Sequence, residues 1–137
     1  MNLMSYYIDN GFYKEALSEM NKFSVYNPNF PKLYYAWGIY YLATGKLDAA
    51  IESFNRDLTK NKASYLTCYC LGICYEKLGQ PAKAIEFALE SFKLNPYFLD
   101  NLIRLQELYA QEGKPQEAKK YYNLAFEIDP LNSRLKK

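Results

Sequence analysis

The chain has 137 residues, half of them apolar, and a net charge of +2 in which 17 basic and 15 acidic residues are interleaved. That length suits one compact domain or one short repeat array, and the apolar content excludes disorder over the bulk of the chain. The near-neutral balance gives no electrostatic reason to expect nucleic acid or a membrane surface as a partner. Histidine, the commonest general base and metal ligand, is absent, which counts against an enzyme.

The longest apolar stretch, Leu33 to Ala43, is far short of the roughly 20 residues that a membrane-spanning helix needs. The opening "MNLMSYYIDN" has no charged region, apolar stretch or cleavage site of a secretory signal, so a cytoplasmic location is expected. The three cysteines, all between Cys68 and Cys74, make no disulfide framework and, without histidine, complete no zinc set. On a helix Cys70 and Cys74 share a face from which Cys68 points away, and all three read as small residues in a packed interface. No catalytic residue, metal or cofactor is expected.

Sliding the chain along itself until Gly11 falls on Gly45 superimposes its punctuation without insertion or deletion. Gly11, Gly45, Gly79 and Gly113 align; so do Ala16, Ala50, Ala84 and Ala118, and Tyr7, Tyr41, Tyr75 and Tyr109. Four units follow, at approximately 1–30, 31–64, 65–98 and 99–130, within a single array.

The first unit begins inside a helix, breaks at Gly11, and carries Ala16 in a second helix that stops before Pro28. In the second, Tyr34, Trp37 and Tyr41 form one helical stripe and Leu47, Ile51, Phe54 and Leu58 another, on either side of Gly45. The third repeats this around Gly79, with Pro81 in the first turn of its second helix and Pro96 after it. The fourth does so around Gly113, with Pro115 and Pro130 in the same roles. The glycines sit where the first helix of each unit must stop, a place that favours positive φ. The alanines allow the paired helices to come close, with Gly38 and Gly72 as the small surface opposite. "LNSRLKK", 131–137, reads as the start of a capping helix or a carboxyl-terminal tail, so both ends look cut or self-pairing.

These residues resemble the tetratricopeptide repeat, a degenerate 34-residue pattern of W-x2-L-G-x2-Y followed by A, F, A and P. "YYAWGIYYLATGKLDAAIESF" supplies Tyr34, Trp37, Gly38, Tyr41, Ala50 and Phe54 in that order. The third unit supplies Cys68, Leu71, Gly72, Tyr75, Ala84, Ala88, Ser91 and Pro96, and the fourth Leu102, Leu105, Tyr109, Ala118, Tyr122, Ala125 and Pro130. Lys62 departs from the pattern at the closing proline, as do Met4 and Gln106 at the glycine.

The resemblance implies an all-α, right-handed α-solenoid, a superhelix of helix-turn-helix units whose concave groove, lined by the first helices, holds a peptide or a partner helix. It implies an interaction scaffold or adaptor and no catalysis. The family's concave positions fall on Lys32, Tyr35, Ile39 and Leu42 in the second unit, on Leu66, Tyr69, Ile73 and Glu76 in the third, and on Asp100, Ile103 and Glu107 in the fourth, with Arg104 on the wall. Tyr35, Ile39 and Leu42 lie off the stripe of Tyr34, Trp37 and Tyr41, so they are expected to be free of the hairpin core and open to a partner. A segment with Leu, Phe or Tyr anchors and a charged end would suit this surface. One subgroup of the family clamps a carboxyl-terminal carboxylate. Its places on units two to four hold Tyr35, Ile39, Cys70, Asp100 and Arg104, of which Arg104 alone fits, and a tail clamp is not expected. The alternative to peptide binding is a self-associating unit, a homo-oligomer joined through its ends or its groove.

Overall fold

A computed structural model of the chain describes residues 3–135; the expected boundaries at residues 1, 2, 136 and 137 lie outside the described residues. Within them are eight α-helices and no strand. In order they are α1 (Leu3–Asp9), α2 (Tyr13–Tyr26), α3 (Leu33–Ala43), α4 (Leu47–Lys60), α5 (Tyr65–Lys77), α6 (Pro81–Leu94), α7 (Leu99–Gln111) and α8 (Pro115–Ile128). They pair as four hairpins, α1 with α2, α3 with α4, α5 with α6 and α7 with α8.

The glycine set does what its spacing predicts, with φ between 73° and 78° at Gly11, Gly45, Gly79 and Gly113. At each, two hydrogen bonds close the first helix: Gly45 N–H donates to Leu42 O at 3.2 Å and Lys46 N–H to Tyr41 O at 2.9 Å, and the same pair recurs at the other three. The carbonyl that takes the longer-range bond belongs in every case to the aligned tyrosine, Tyr7, Tyr41, Tyr75 or Tyr109. Two of the repeating residue sets are thus the two ends of one capping device.

The second helices start at Pro81 and Pro115 in the last two hairpins, where a missing N–H costs nothing. Lys62 in place of a proline leaves its turn intact. Asn61 N–H caps α4 on Asp57 O at 2.7 Å, and the Asn61 side-chain amide donates to Asp57 Oδ1 at 2.8 Å and Pro31 O at 3.2 Å. Ser64 then caps α5, its Oγ accepting from Thr67 N–H at 3.2 Å. Residues 129–135 form turns and no helix.

The helices group into two compact units, Met1–Lys62 and Ala63–Lys137. In the N-terminal unit Ala16 and Ala50 are fully buried, as is Phe54. Trp37 of α3 reaches back to α2, its Nε1–H donating to Ser24 Oγ at 3.0 Å while Ser24 Oγ donates to Met20 O at 2.7 Å. In the C-terminal unit Leu102, Ile103, Leu105 and Leu108 of α7 pack with Ala84 and Ala88 of α6 and Tyr121 and Ala125 of α8. Two polar side chains pin helices there: Ser91 Oγ donates to Tyr65 O at 2.9 Å and Asn101 Nδ2 to Ala88 O at 2.8 Å. Tyr75 stacks on Phe87 and, one repeat later, Tyr109 stacks on Tyr121, with interplanar angles of 3° and 5°.

Gly72 meets α6 as expected, since a β-carbon there would sit 3.3 Å from Ala84 O and 3.6 Å from Ala88 N. Gly38 differs. The three atoms nearest to a β-carbon placed there all belong to the ring of Phe54. All three cysteines are unbridged thiols and buried, Cys68 included, although it lies off the face that Cys70 and Cys74 share.

Candidate binding surface

The surface expected to receive a partner is carried by first helices, and each compact unit contributes its own part. On α3, Lys32 is the exposed N-cap residue, while Tyr35, Ile39 and Leu42 are each half-buried. Tyr35 is not spare to the hairpin. Its ring lies 6.0 Å from that of Phe54, tilted by 57°. The cause is Gly38, which admits the Phe54 ring between the two helices and so brings it up to Tyr35. The expectation that all three residues are free of the core is therefore corrected for Tyr35.

A residue that the stripe Tyr34, Trp37, Tyr41 passed over is Tyr40, which is buried with its ring edge-on to Trp37 and Tyr41. The signal for it was available, since Tyr40, Cys74 and Leu108 align in the repeat register and all are buried. Burial holds the Tyr40 phenol above its ordinary pKa, with the neighbouring Tyr41 adding to the effect.

In the C-terminal unit Leu66, Tyr69 and Ile73 are half-buried on α5. Phe98, just before α7, sets its ring 4.9 Å from Tyr69 at 72°. Arg104 of α7 spans the two helices, its guanidinium 5.5 Å from the Tyr69 ring centre and paired with the Glu76 carboxylate. Its Nε is buried and has no hydrogen-bond partner among the described residues. Glu107 is exposed. Asp100 pairs with Arg134, the residue at the same register one repeat later, at 2.7 Å. Ile103 is corrected: it is fully buried in the α6–α7–α8 core, so it offers nothing to a partner. Among the expected residues, then, the structure brings Tyr69 and Arg104 into contact, with Glu76 as the third member.

Among the described residues no group of three or more His, Cys, Asp and Glu side chains could hold a metal ion. The Cys74 thiol, fully buried, is pushed up to about 11 by desolvation, which leaves it protonated and unreactive at neutral pH. No helix among the described residues is long and apolar enough to cross a membrane.

Residues 65–98 and 104–130 match two models of the tetratricopeptide repeat. These two stretches are tetratricopeptide repeats. The first of the two matches spans helices α5 and α6.

The small glutamine-rich tetratricopeptide repeat-containing protein 2 of Mycosarcoma maydis is 32% identical over 89 residues, 65% of this chain and 25% of that protein. The chain therefore spans a quarter of that relative's length. Among solved structures, the crystal structure of MamA superimposes with a TM-score of 0.80 at 27% identity, over 93% of this chain and 75% of that one. The first repeat domain of Spaghetti (RPAP3), bound to the HSP90 peptide SRMEEVD, gives 0.72 at 22% identity, over 77% and 83% of the two chains. The fold is accordingly all-α, of the tetratricopeptide-repeat solenoid class.

Proposed function

We propose that this protein is an interaction module that binds a peptide segment or an amphipathic helix through the exposed parts of its first helices. The observation that carries the reading is the trio of Tyr69, Arg104 and Glu76. A half-buried aromatic ring, a cation and an anion stand together on two adjacent first helices, where neither the α5–α6 nor the α7–α8 hairpin needs them for its core. Leu66 and Ile73 beside them leave apolar surface for Leu, Phe or Tyr anchors, with Glu107 exposed for a charged end. In the N-terminal unit Ile39 and Leu42 offer the same chemistry, with Lys32 exposed at the start of their helix.

The RPAP3 domain with its bound peptide supports peptide binding as a use of this fold. The residues of this chain argue for a different peptide. At the positions where the family's tail clamp needs Lys and Asn stand Tyr35, Ile39, Cys70 and Asp100, and the one fitting cation, Arg104, is already paired with Glu76. Apolar anchors, not a terminal carboxylate, are the expected recognition element. The test is peptide selection against the chain and against a folded Tyr69→Ala/Ile73→Ala variant, in which loss of the selected peptides supports the assignment and retention removes it.

A further inference from the structure

The C-terminal unit holds a cavity of about 970 Å³ between α7 and α8, with Gln106, Ala110, Ala118, Lys119, Tyr122 and Asn123 among its lining. One repeat earlier, these six positions hold Gly72, Glu76, Ala84, Ile85, Ala88 and Leu89 on α5 and α6. That earlier surface is covered by α7: Asn101 donates to Ala88 O, Arg104 pairs with Glu76, and Ile85 and Leu89 pack against the core that α7 supplies. The α7–α8 groove is thus an open copy of a surface whose occupant in this fold is a first helix.

Helix α1 carries matching side chains at the matching register. Leu3 and Tyr6 align with Leu71 and Cys74 of α5 and with Leu105 and Leu108 of α7. The last four are all buried, whereas Leu3 is 51% and Tyr6 46% exposed. The charges also match: α1 contains Asp9 and no basic residue, while the groove contains Lys119 and no acidic residue.

We propose that the α7–α8 groove receives helix α1 of a second copy of this chain. The contact is heterologous, the first helix of one molecule against the last hairpin of the next, so it adds molecules in an open series and does not stop at a symmetric pair. It leaves the Tyr69–Arg104–Glu76 surface available and stands independently of the peptide reading.

Sedimentation equilibrium over a concentration series tests it. The whole chain is expected to rise in mean mass with concentration, while Tyr6→Asp and Tyr122→Asp, each checked for native helicity by circular dichroism, stay monomeric. An equimolar mixture of the two variants retains one intact pair of ends and is expected to give a 1:1 dimer and nothing larger. Charge reversal supplies a second arm: Asp9→Lys and Lys119→Asp each weaken association, and the chain carrying both recovers it. A wild-type chain that stays monomeric throughout overturns the proposal. So does a Tyr6→Asp variant that still self-associates, or a mixture that forms no dimer. If Tyr69→Ala/Ile73→Ala abolishes association instead, the contact lies on the first-helix surface and the proposal fails.

Discussion

A β-carbon placed on Gly38 would lie 2.4 Å from Cε1 of Phe54, so the Phe54 ring occupies the space that a side chain at residue 38 would need. The atom in the way belongs to a rigid, fully buried ring and not to the end of a flexible chain. Gly38→Ala should therefore destabilise the protein by about 1–3 kcal/mol through overpacking. Urea denaturation measures it, and the double variant Gly38→Ala/Phe54→Leu should recover part of the loss. A Gly38→Ala midpoint equal to that of the wild type would show that α3 and α4 do not approach as described.

The hairpin glycines fail for another reason when replaced. A β-carbon on Gly45 or Gly79 would meet nothing within 4 Å, yet φ is +78° and +75°. Gly79→Ala should cost about 1–2 kcal/mol as backbone strain alone. Gly79→Asn should cost less, because Asn tolerates the left-handed region. If Ala and Asn destabilise equally, strain is not the cause.

The contrast between these glycines shows what the sequence could carry. Gly45 was legible because its role is local: the residue that stops a helix at positive φ is set by its neighbours in the chain, and so it returns in every repeat. The role of Gly38 depends on what stands opposite, Phe54 here and Ala88 at the equivalent place in the next hairpin, and a family template assigns both one part. The candidate surface fared likewise. Placing Tyr35 and Ile103 by register alone missed the Phe54 ring against one and the core around the other. Arg104 was placed on the wall, but its pairing with Glu76, far away in sequence, arises only when α5 and α7 are side by side.

Cys74 gives a pH-dependent prediction. Burial raises its thiol from the ordinary value of 9.0 to about 11, so between those values the native state holds a proton that the unfolded chain has released. Stability contributed by this group is fully present below pH 9 and is lost as pH rises towards 11. Denaturation midpoints of wild type and Cys74→Ala between pH 8 and about 11 should converge as the pH rises. Parallel curves would place the thiol in a less apolar setting. At pH 8 the native thiol should resist alkylation until the protein unfolds.

Arg104 and Glu76 are partly exposed, with side-chain accessibilities of 21% and 30%, so their pair should contribute modestly to stability. Arg104→Met is expected to cost about 1 kcal/mol or less, from the ion pair and the contact with Tyr69 together. It should leave far-UV circular dichroism unchanged. An unpaired Arg104 is the only cation at a tail-clamp position, so Glu76→Gln should not create strong binding of an acidic carboxyl-terminal peptide such as SRMEEVD. Isothermal titration calorimetry of that peptide against wild type and Glu76→Gln checks this, and tight binding by either would restore the clamp.

The most direct test of the central claim is a displayed peptide library selected on the intact chain, with each enriched peptide then titrated against wild type and Tyr69→Ala/Ile73→Ala, both shown to be folded. The account predicts enrichment of segments with Leu, Phe or Tyr anchors and at least tenfold weaker binding by the variant, a loss of about 1.4 kcal/mol. Enriched peptides that bind wild type and variant alike would contradict it.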